Sequence, residues 1–264
     1  MAEATHHTGS ESLRALLADV AAGRCAVDAA VRRLETQGIS AVGDFARLDI
    51  GRASRKGVPE IVYGLGKTVE QFAAIVARFL ERADAVVGSK VSPEQAEAAK
   101  AVVSGVTEYD PRSRMLVAHG LDWKQAERRG VVGILAGGTS DVAVADEAAI
   151  VCREMGASVT TAYDVGVAGV HRLTEPLAEM LDAGAGALVV AAGMEGALPS
   201  VVSGLSDVPV IGLPVATGYG LGGNGEAALL GMLQSCSPGL VVVNIENGVG
   251  AGVTAALIAR RSAS

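Results

Sequence analysis

Short apolar runs alternate with helically spaced apolar stripes along most of the chain, and from Val131 the alternation is regular. Val131, Val132, Ile134 and Leu135 form a continuous apolar run, the pattern of a parallel strand covered on both faces. The run breaks at Gly137, Gly138, Thr139, Ser140 and Asp141, then resumes with helical spacing until Gly156, a glycine placed as a helix C-cap. The same unit then repeats. Val159 to Val165 reads as a strand, followed by a glycine-rich turn and a helix opened by Thr174, Glu175 and Pro176. Ala187 to Ala192 leads straight into Gly193, Met194, Glu195 and Gly196. Val210 to Leu213 leads into Pro214, Gly218, Tyr219, Gly220, Gly222 and Gly223, with a helix to about Gln234. Val241 to Ile245 ends at Glu246, Asn247 and Gly248, before an Ala-rich terminal helix. Strand and helix signals that alternate with short loops predict a doubly wound α/β fold, a parallel sheet with helices on both faces.

The first part of the chain is different. Leu13, Leu16, Leu17 and Val20, then Val27, Ala30, Val31 and Leu34, make two helical stripes separated by Gly23, which predicts a helical hairpin. Thr68 with Gln71, and Ser92 with Pro93 and Gln95, are capping boxes for two further helices, the first carrying Phe72, Ile75, Val76, Phe79 and Leu80 on one face. Ala85 to Gly88, Tyr109 and Met115 to Ala118 read as strands, so residues 10–121 form a small mixed α/β domain. The polar segment 122–130, DWKQAERRG, is the expected connection to a second domain at 131–264, and residues 1–9 are expected to be disordered.

Composition narrows the class. Hydrophobic residues are 50% and aromatics only 3%, with 34 glycines, so the core must be built from small aliphatic side chains in a glycine-punctuated pattern. A formal net charge of -7 argues against a general nucleic-acid binder. Cys25, Cys152 and Cys236 are odd in number and widely spaced, as reduced thiols are. The N-terminus lacks the basic and apolar regions of a signal peptide, and no apolar stretch of membrane-spanning length is free of Gly, Pro or charge. A cytoplasmic enzyme is the expectation.

Ligands of open parallel sheets bind beyond the carboxyl ends of the strands. That rim would carry Gly137 to Asp141, Gly166 to Arg172, Gly193 to Gly196 and Gly218 to Asn224. Its backbone donors, carboxylates, imidazole and guanidinium suit a phosphorylated ligand and a proton transfer. Gly137 and Gly138 would let the backbone come close to that ligand. Asp141 can be an N-cap or a catalytic group, whereas Glu195, between glycines after a buried strand, has little structural work to do. His171 and Arg172 can form a polar helix entrance, or bind phosphate and move a proton. Cys152 falls in the apolar part of its helix and reads as core. Cys236, in QSCSPG, sits in a loop where a thiol can be a nucleophile, although such a loop belongs to the end of the sheet opposite the rim. Arg47, Arg52, Arg55, Lys56 and Lys67 fall among glycines in residues 45–68 and are either a solvated loop or an anion site. The ending GLGKT is P-loop-like, but the first glycine of that motif would fall at Ile61, so an ATPase is not expected.

Taken together, GGTSD at 137–141, VHR at 170–172, AAGMEGALPSVVSGL at 191–205, PVIGLPV at 209–215 and QSCSPG at 234–239 resemble the PurE superfamily. Within it, FARLD, GVPEIVYGLGKT and NIENGVGAG at 244–252 resemble the LarB family, the carboxylase/hydrolase of nickel-pincer nucleotide cofactor biosynthesis. The resemblance covers nearly all of the chain after about residue 44. It implies a PurE-like Rossmann-type domain in a homo-octamer. It also implies carboxylation of the pyridinium ring of nicotinic acid adenine dinucleotide by CO2, and hydrolysis of its phosphoanhydride to release AMP and pyridinium-3,5-biscarboxylic acid mononucleotide, with magnesium as helper.

Carried over by motif, Cys236 would be the covalent nucleophile and Glu195 or Asp141 the base, with Glu195 preferred. Gly137, Gly138, Thr139, Ser140, Gly169, His171, Arg172, Gly193, Met194, Gly196, Gly223 and Asn224 would bind substrate or CO2, and Arg52 and Lys67 would join Arg172 on phosphate or carboxylate groups. The residues before His171 are GVAGV, a departure from the Ala-His-Arg motif of PurE. Two rivals stand beside this reading: a PurE-type aminoimidazole ribonucleotide carboxylase or mutase, and a non-catalytic nucleotide-binding oligomer.

Overall fold

The structure, a computed structural model, describes residues 9–30, 39–52, 56–81, 83–124 and 128–263. Most of the N-terminal segment expected to be disordered, the end of the second N-terminal helix at 31–38, and Arg55 lie outside the described residues. The chain divides into two compact units, one of 1–109 with 116–123, the other of 110–115 with 124–264.

In the first unit, helix α1 spans Gly9–Ala21, and strands β1 (Ile39–Val42) and β2 (Ala46–Asp49) form an antiparallel pair. β3 (Glu60–Tyr63), β4 (Ala85–Ser89), β5 (Val106–Asp110) and β6 (Met115–His119) make a four-stranded sheet in the order β3-β4-β6-β5. Its pairing is mixed, because β4 runs parallel to β3 and antiparallel to β6. α2 (Val69–Leu80) and α3 (Pro93–Val102) start at the expected capping boxes, on Thr68 with Gln71 and on Ser92 with Gln95. Phe72, Ile75, Val76 and Phe79 of α2 pack with Val86, Leu116 and Ala118 of the sheet and Ala96 and Ala99 of α3.

The second unit holds the expected parallel sheet with helices on both faces. Strands β7 (Val131–Ala136), β8 (Ser158–Ala162), β9 (Ala185–Ala192), β10 (Val210–Pro214) and β11 (Leu240–Val242) form one five-stranded sheet, in the order β11-β10-β9-β7-β8. Every pairing is parallel. Helices α4 (Val142–Glu154) and α8 (Gly248–Ser262) share one core with one face of the sheet. Leu173 and residues of α5 (Thr174–Asp182), α6 (Leu198–Leu205) and α7 (Glu226–Leu233) share the core on the other face. With few aromatics, tight approach replaces bulk. A Cβ on Gly252 of α8 would lie 2.6 Å from the Ala148 carbonyl oxygen of α4, and Ala251, Ala255, Ala256 and Ala259 fill the rest of the seam.

Two strands end earlier than the apolar runs predict. β8 stops at Ala162 instead of Val165, since Asp164 takes a left-handed φ of 60° that extended backbone does not allow. β11 stops at Val242 instead of Ile245, where the Asn244 side chain captures the Ile245 N–H at 2.9 Å and Glu246 turns left-handed at φ 60°. No helix among the described residues is long and apolar enough to cross a membrane.

Candidate active site

The chain leaves β7 for its neighbour β8, then returns across the sheet to place β9 on the other side of β7. The switch point therefore lies between β7 and β9, where the loops after parallel strands diverge and leave a crevice. Gly137 to Asp141 follow β7 and Gly193 to Gly196 follow β9, so sheet topology brings these two expected site loops side by side. The Gly137 N–H still donates to Ala191 O of β9 at 2.9 Å.

Asp141 is the centre of this arrangement. It closes a 3-10 turn, Thr139–Asp141, that precedes α4, and its side chain caps no helical N–H of α4. The N-cap reading is corrected accordingly: the carboxylate reaches back, and Oδ2 accepts from the Gly138 N–H at 2.9 Å. Gly193 N–H and the Thr217 hydroxyl also favour its charged form, but neither is aligned to satisfy Oδ1, which is buried without a hydrogen-bond partner among the described residues. Burial outweighs these donors and, with Glu246 adding its negative charge, holds the carboxyl above its usual range. Asp141 is only 5% exposed, whereas Thr139 and Ser140 beside it are exposed.

Several of the expected ligand glycines have a different use. A Cβ on Gly193 would lie 2.4 Å from Thr217 O, one on Gly196 2.5 Å from Ala228 O, and one on Gly166 2.7 Å from Gly137 O. These glycines bring rim loops and helices into contact with each other. Gly137 and Gly138 meet little except the Asp141 carboxylate, at 3.3 Å and 3.8 Å, and are the ones with room for a ligand. Left-handed backbone also gathers here. Asp164, Met194, Asn224 and Glu246, one in each loop after β8, β9, β10 and β11, have φ of 60°, 53°, 60° and 60°, a costly conformation that surrounding contacts must hold. Met194 is held by its N–H on Thr217 O at 2.7 Å, and Glu246 by its N–H on Pro214 O at 2.9 Å.

The remaining expected residues are distributed as follows. Glu195 is exposed in the β9 loop. His171 and Arg172 are exposed at the end of a 3-10 segment after β8, in which Gly169 breaks the helical backbone. Arg172 Nη1 is paired with Asp164 at 2.6 Å, and the His171 carbonyl accepts from the Thr174 hydroxyl at 2.7 Å. Gly223 and Asn224 lie in the loop between β10 and α7, with Gly223 N–H on Gly220 O at 3.3 Å. Cys236 is exposed in the loop between α7 and β11. That loop is fastened to α6 by Ser235 Oγ with Ser200 Oγ (2.8 Å), Ser237 Oγ on Ser200 O (2.9 Å) and Ser203 Oγ on Pro238 O (3.0 Å). Cys152 is core as expected: its thiol donates to Gly252 O at 3.3 Å, and burial pushes its pKa up to about 12.

Arg52 and Lys67 belong to the first unit and have local partners there. Arg52 Nε pairs with Glu60 at 2.9 Å and Asp49 at 3.6 Å, and Lys67 Nζ donates to Tyr63 O at 2.8 Å. The GLGKT turn is likewise a structural feature, since buried Gln95 donates to both Gly64 O and Lys67 O at 2.9 Å.

Glu246 is the residue that reading the sequence missed as a site group. It sits on the rim loop after the edge strand β11, accepts from the Ala216 N–H at 2.9 Å, and its negative charge adds to the upward push on the Asp141 carboxyl. Two linear signals pointed to it: an acidic residue directly after an apolar run, as at Glu195, and its place in the NIENGVGAG motif at 244–252.

Known proteins agree with this layout. Residues 39–120 match the family model described as LarB/PurE-like N-terminal domain, and residues 131–264 match AIR carboxylase. An uncharacterised protein of Methanocaldococcus jannaschii is 38% identical over 95% of this chain and 98% of its own length. N5-carboxyaminoimidazole ribonucleotide mutases of Thermotoga maritima and Pyrococcus abyssi are 31% and 33% identical, each over 48% of this chain and over 73% and 70% of their own lengths. These matches support a carboxylase-type function. With both domain models in order along one chain, the protein belongs to the LarB family of the PurE superfamily.

Proposed function

We propose that this protein is a pyridinium-3,5-biscarboxylic acid mononucleotide synthase: it carboxylates the pyridinium ring of nicotinic acid adenine dinucleotide with CO2 and hydrolyses the phosphoanhydride, releasing AMP, for nickel-pincer nucleotide cofactor biosynthesis. The observation that carries the reading is the switch point between β7 and β9, where exposed Thr139 and Ser140 and the free carboxylate of Glu195 share one rim. The same chain offers an exposed thiol, Cys236, on a serine-fastened loop.

The chemistry requires such a thiol. A pyridinium ring is electron-poor and does not attack CO2. Addition of the Cys236 thiolate at the carbon para to nitrogen forms a C–S bond and pushes the ring electrons onto nitrogen, leaving a dihydropyridine. Its adjacent carbon is enamine-like and attacks the carbon of CO2, forming a C–C bond while one C=O pair moves to oxygen. Glu195 then takes the proton from that ring carbon, and the ring expels the thiolate to regain aromaticity. Hydrolysis is separate: water adds to one phosphorus and AMP leaves with the bridging oxygen. Glycine N–H groups and the Thr139 and Ser140 hydroxyls serve the anionic oxygens of substrate and CO2.

Magnesium would travel with the diphosphate. The described residues gather no group of three or more His, Cys, Asp or Glu side chains that could cage an ion, and magnesium bound through substrate phosphates needs only one or two carboxylates from protein. Cys236 lies in the loop between α7 and β11, at the end of the sheet opposite the rim, so in this reading it serves the rim of a neighbouring subunit in a homo-octamer. Helix α7 supports association, because Leu230 and Leu233 are exposed on it, with Tyr219 and Leu221 exposed in the loop before it.

The test is mass spectrometry of protein and small molecules after incubating wild type and Cys236→Ala with nicotinic acid adenine dinucleotide, bicarbonate and magnesium. AMP plus a mononucleotide one carboxyl group heavier, formed by wild type and lost in the variant, is expected. Product from both proteins would remove the thiol from the mechanism, and product from neither would remove the substrate.

A further inference from the structure

The loop that carries Cys236 is fastened more than its connection requires. Residues 234–239 join α7 to β11, and backbone bonds already hold both ends. The Gln234 N–H donates to Leu230 O at 2.9 Å, and Gly239 O accepts from the Val210 N–H of β10 at 3.0 Å. The serine bonds are additional, and two of them fall on the residues either side of the thiol. The Ser200 hydroxyl donates to Ser235 Oγ at 2.8 Å, and the Ser237 hydroxyl donates to Ser200 O at 2.9 Å. Ser235 Oγ also accepts the Ser237 N–H at 3.2 Å, which closes a turn around Cys236. One residue of α6 therefore holds both neighbours of the cysteine, one through its side chain and the other through its carbonyl. Ser235 and Ser237 are half-buried, whereas Cys236 between them is exposed.

Ser200 stands on a rigid base. Leu198 and Val202, two residues to either side of it in α6, are 2% and 0% exposed and belong to the core shared with the sheet. Ser203 repeats the attachment farther along the helix by donating to Pro238 O at 3.0 Å. An unfastened loop would let the thiol sample many positions, and bringing it to one ring carbon would cost the entropy of ordering the loop at every turnover. Fastening on a packed helix removes that cost before substrate arrives. Resting on the nucleophile assignment above, we infer that Ser200 is the positioning residue of Cys236. Its hydroxyl fixes where the thiol stands when it adds to the pyridinium ring, and so sets the rate of C–S bond formation without touching the substrate.

Two measurements on the intact protein decide this, with Ser200→Ala removing the hydroxyl and Ser200→Thr keeping it. The first is amide hydrogen exchange without substrate, which reads the fastening itself. In Ser200→Ala the Ser237 amide should exchange about 10-fold faster, on the order of the protection given by one hydrogen bond, while amides of β10 and α4 keep their wild-type rates. Unchanged exchange at Ser237, or equal acceleration throughout the second unit, would overturn the inference.

The second is single-turnover product formation from nicotinic acid adenine dinucleotide, bicarbonate and magnesium, with protein in excess and saturating. Under these conditions a misfolded fraction leaves the rate constant unaffected, so a purely structural defect does not imitate a misplaced thiol. Ser200→Ala should lower the rate constant about 10- to 100-fold, the range for a reacting group moved out of place, with calorimetric affinity for the dinucleotide unchanged. Ser200→Thr should recover most of the loss. A wild-type rate constant in Ser200→Ala, with Cys236→Ala inactive, would overturn the positioning role and keep the nucleophile. Equal losses in the alanine and threonine variants would make Ser200 a packing residue and overturn it as well. Product from Cys236→Ala would remove the thiol from the mechanism and the inference with it. If wild type forms no product, the substrate assignment fails, while the Ser237 exchange rate still decides whether Ser200 holds the thiol loop.

Discussion

Replacing Gly193 by alanine separates the two uses of glycine on this rim. The new methyl carbon would lie 2.4 Å from Thr217 O and 2.8 Å from Thr217 Cβ. The carbonyl is backbone and cannot swing away, so the loops after β9 and β10 must part. Overpacking of this kind costs about 1–3 kcal/mol. Parting the loops also breaks the Met194 N–H bond to Thr217 O, at 2.7 Å the contact that holds Met194 left-handed, for about 0.5–1.5 kcal/mol more. The sum, about 1.5–4.5 kcal/mol, corresponds to a fall in Tm of roughly 3–18 °C for a domain of this size. Gly137→Ala is the comparison. Its methyl meets nothing nearer than Asp141 Oδ2 at 3.3 Å, so stability should change by less than about 1 kcal/mol while substrate affinity falls, because the methyl crowds the Asp141 carboxylate and the loop at the switch point. Urea denaturation and calorimetric binding on both variants make the test. A Gly193→Ala protein within about 0.5 kcal/mol of wild type, or a Gly137→Ala protein as unstable as Gly193→Ala, would refute the assignment of one glycine to packing and the other to ligand approach.

Four further outcomes are expected. Gln95→Ala should destabilise the first unit by roughly 2–4 kcal/mol in chemical denaturation, because the Gly64 and Lys67 carbonyls both lose their buried donor. Asp141→Asn should gain stability relative to wild type as pH rises. The folded-state pKa of Asp141 is raised by burial and by Glu246, so its stabilising contribution is complete below the ordinary carboxylate range and lost as pH passes through the raised value, and urea midpoints over a pH series would show the gap opening upward. Cys236→Ala should leave stability within about 0.5 kcal/mol, since the thiol is exposed, and a shift in urea midpoint larger than that would mark Cys236 as structural. Mixing Cys236→Ala with Glu195→Gln, each inactive alone, should restore part of the activity if subunits exchange and the thiol serves its neighbour's rim; mixed oligomers that stay inactive would place thiol and base in one subunit.

Much of the second unit could be read from the linear pattern because its strands are buried on both faces. Such strands appear as unbroken apolar runs, and Gly156 at φ 82° and Gly184 at φ 77° mark the helix ends before β8 and β9. The capping boxes of α2 and α3 were legible for a similar reason, each being a contact three residues long. Strand ends were less legible. Val165 and Ile245 are as apolar as the strands they follow, and only the left-handed turns at Asp164 and Glu246 reveal that the ladder has stopped. The basic segment misleads in the opposite direction: its charges look available until Glu60, Asp49 and the Tyr63 carbonyl are found beside Arg52 and Lys67.

Asp141 and Glu246 show where linear reading reaches its limit. Asp141 precedes a helix, which makes an N-cap the natural expectation, but a turn of 3-10 helix intervenes and aims the carboxylate back at Gly138. Glu246 is more than a hundred residues away, and no spacing rule joins the two. They interact because β11 extends the sheet beyond β10 and β9 while β7 lies on the far side of β9, so loops distant in sequence converge on one rim. The electrostatic character of the site is thus a consequence of strand order. A substitution that left every side chain of the site in place but loosened the β10 to β11 pairing, where Val210, Ile211 and Gly212 meet Leu240, Val241 and Val242, would withdraw Glu246 and relieve its part of the upward push on the Asp141 carboxyl. Val243→Pro, which removes the N–H that donates to Gly212 O of β10 at 3.1 Å, should therefore move the Asp141 titration in the same direction as Glu246→Gln.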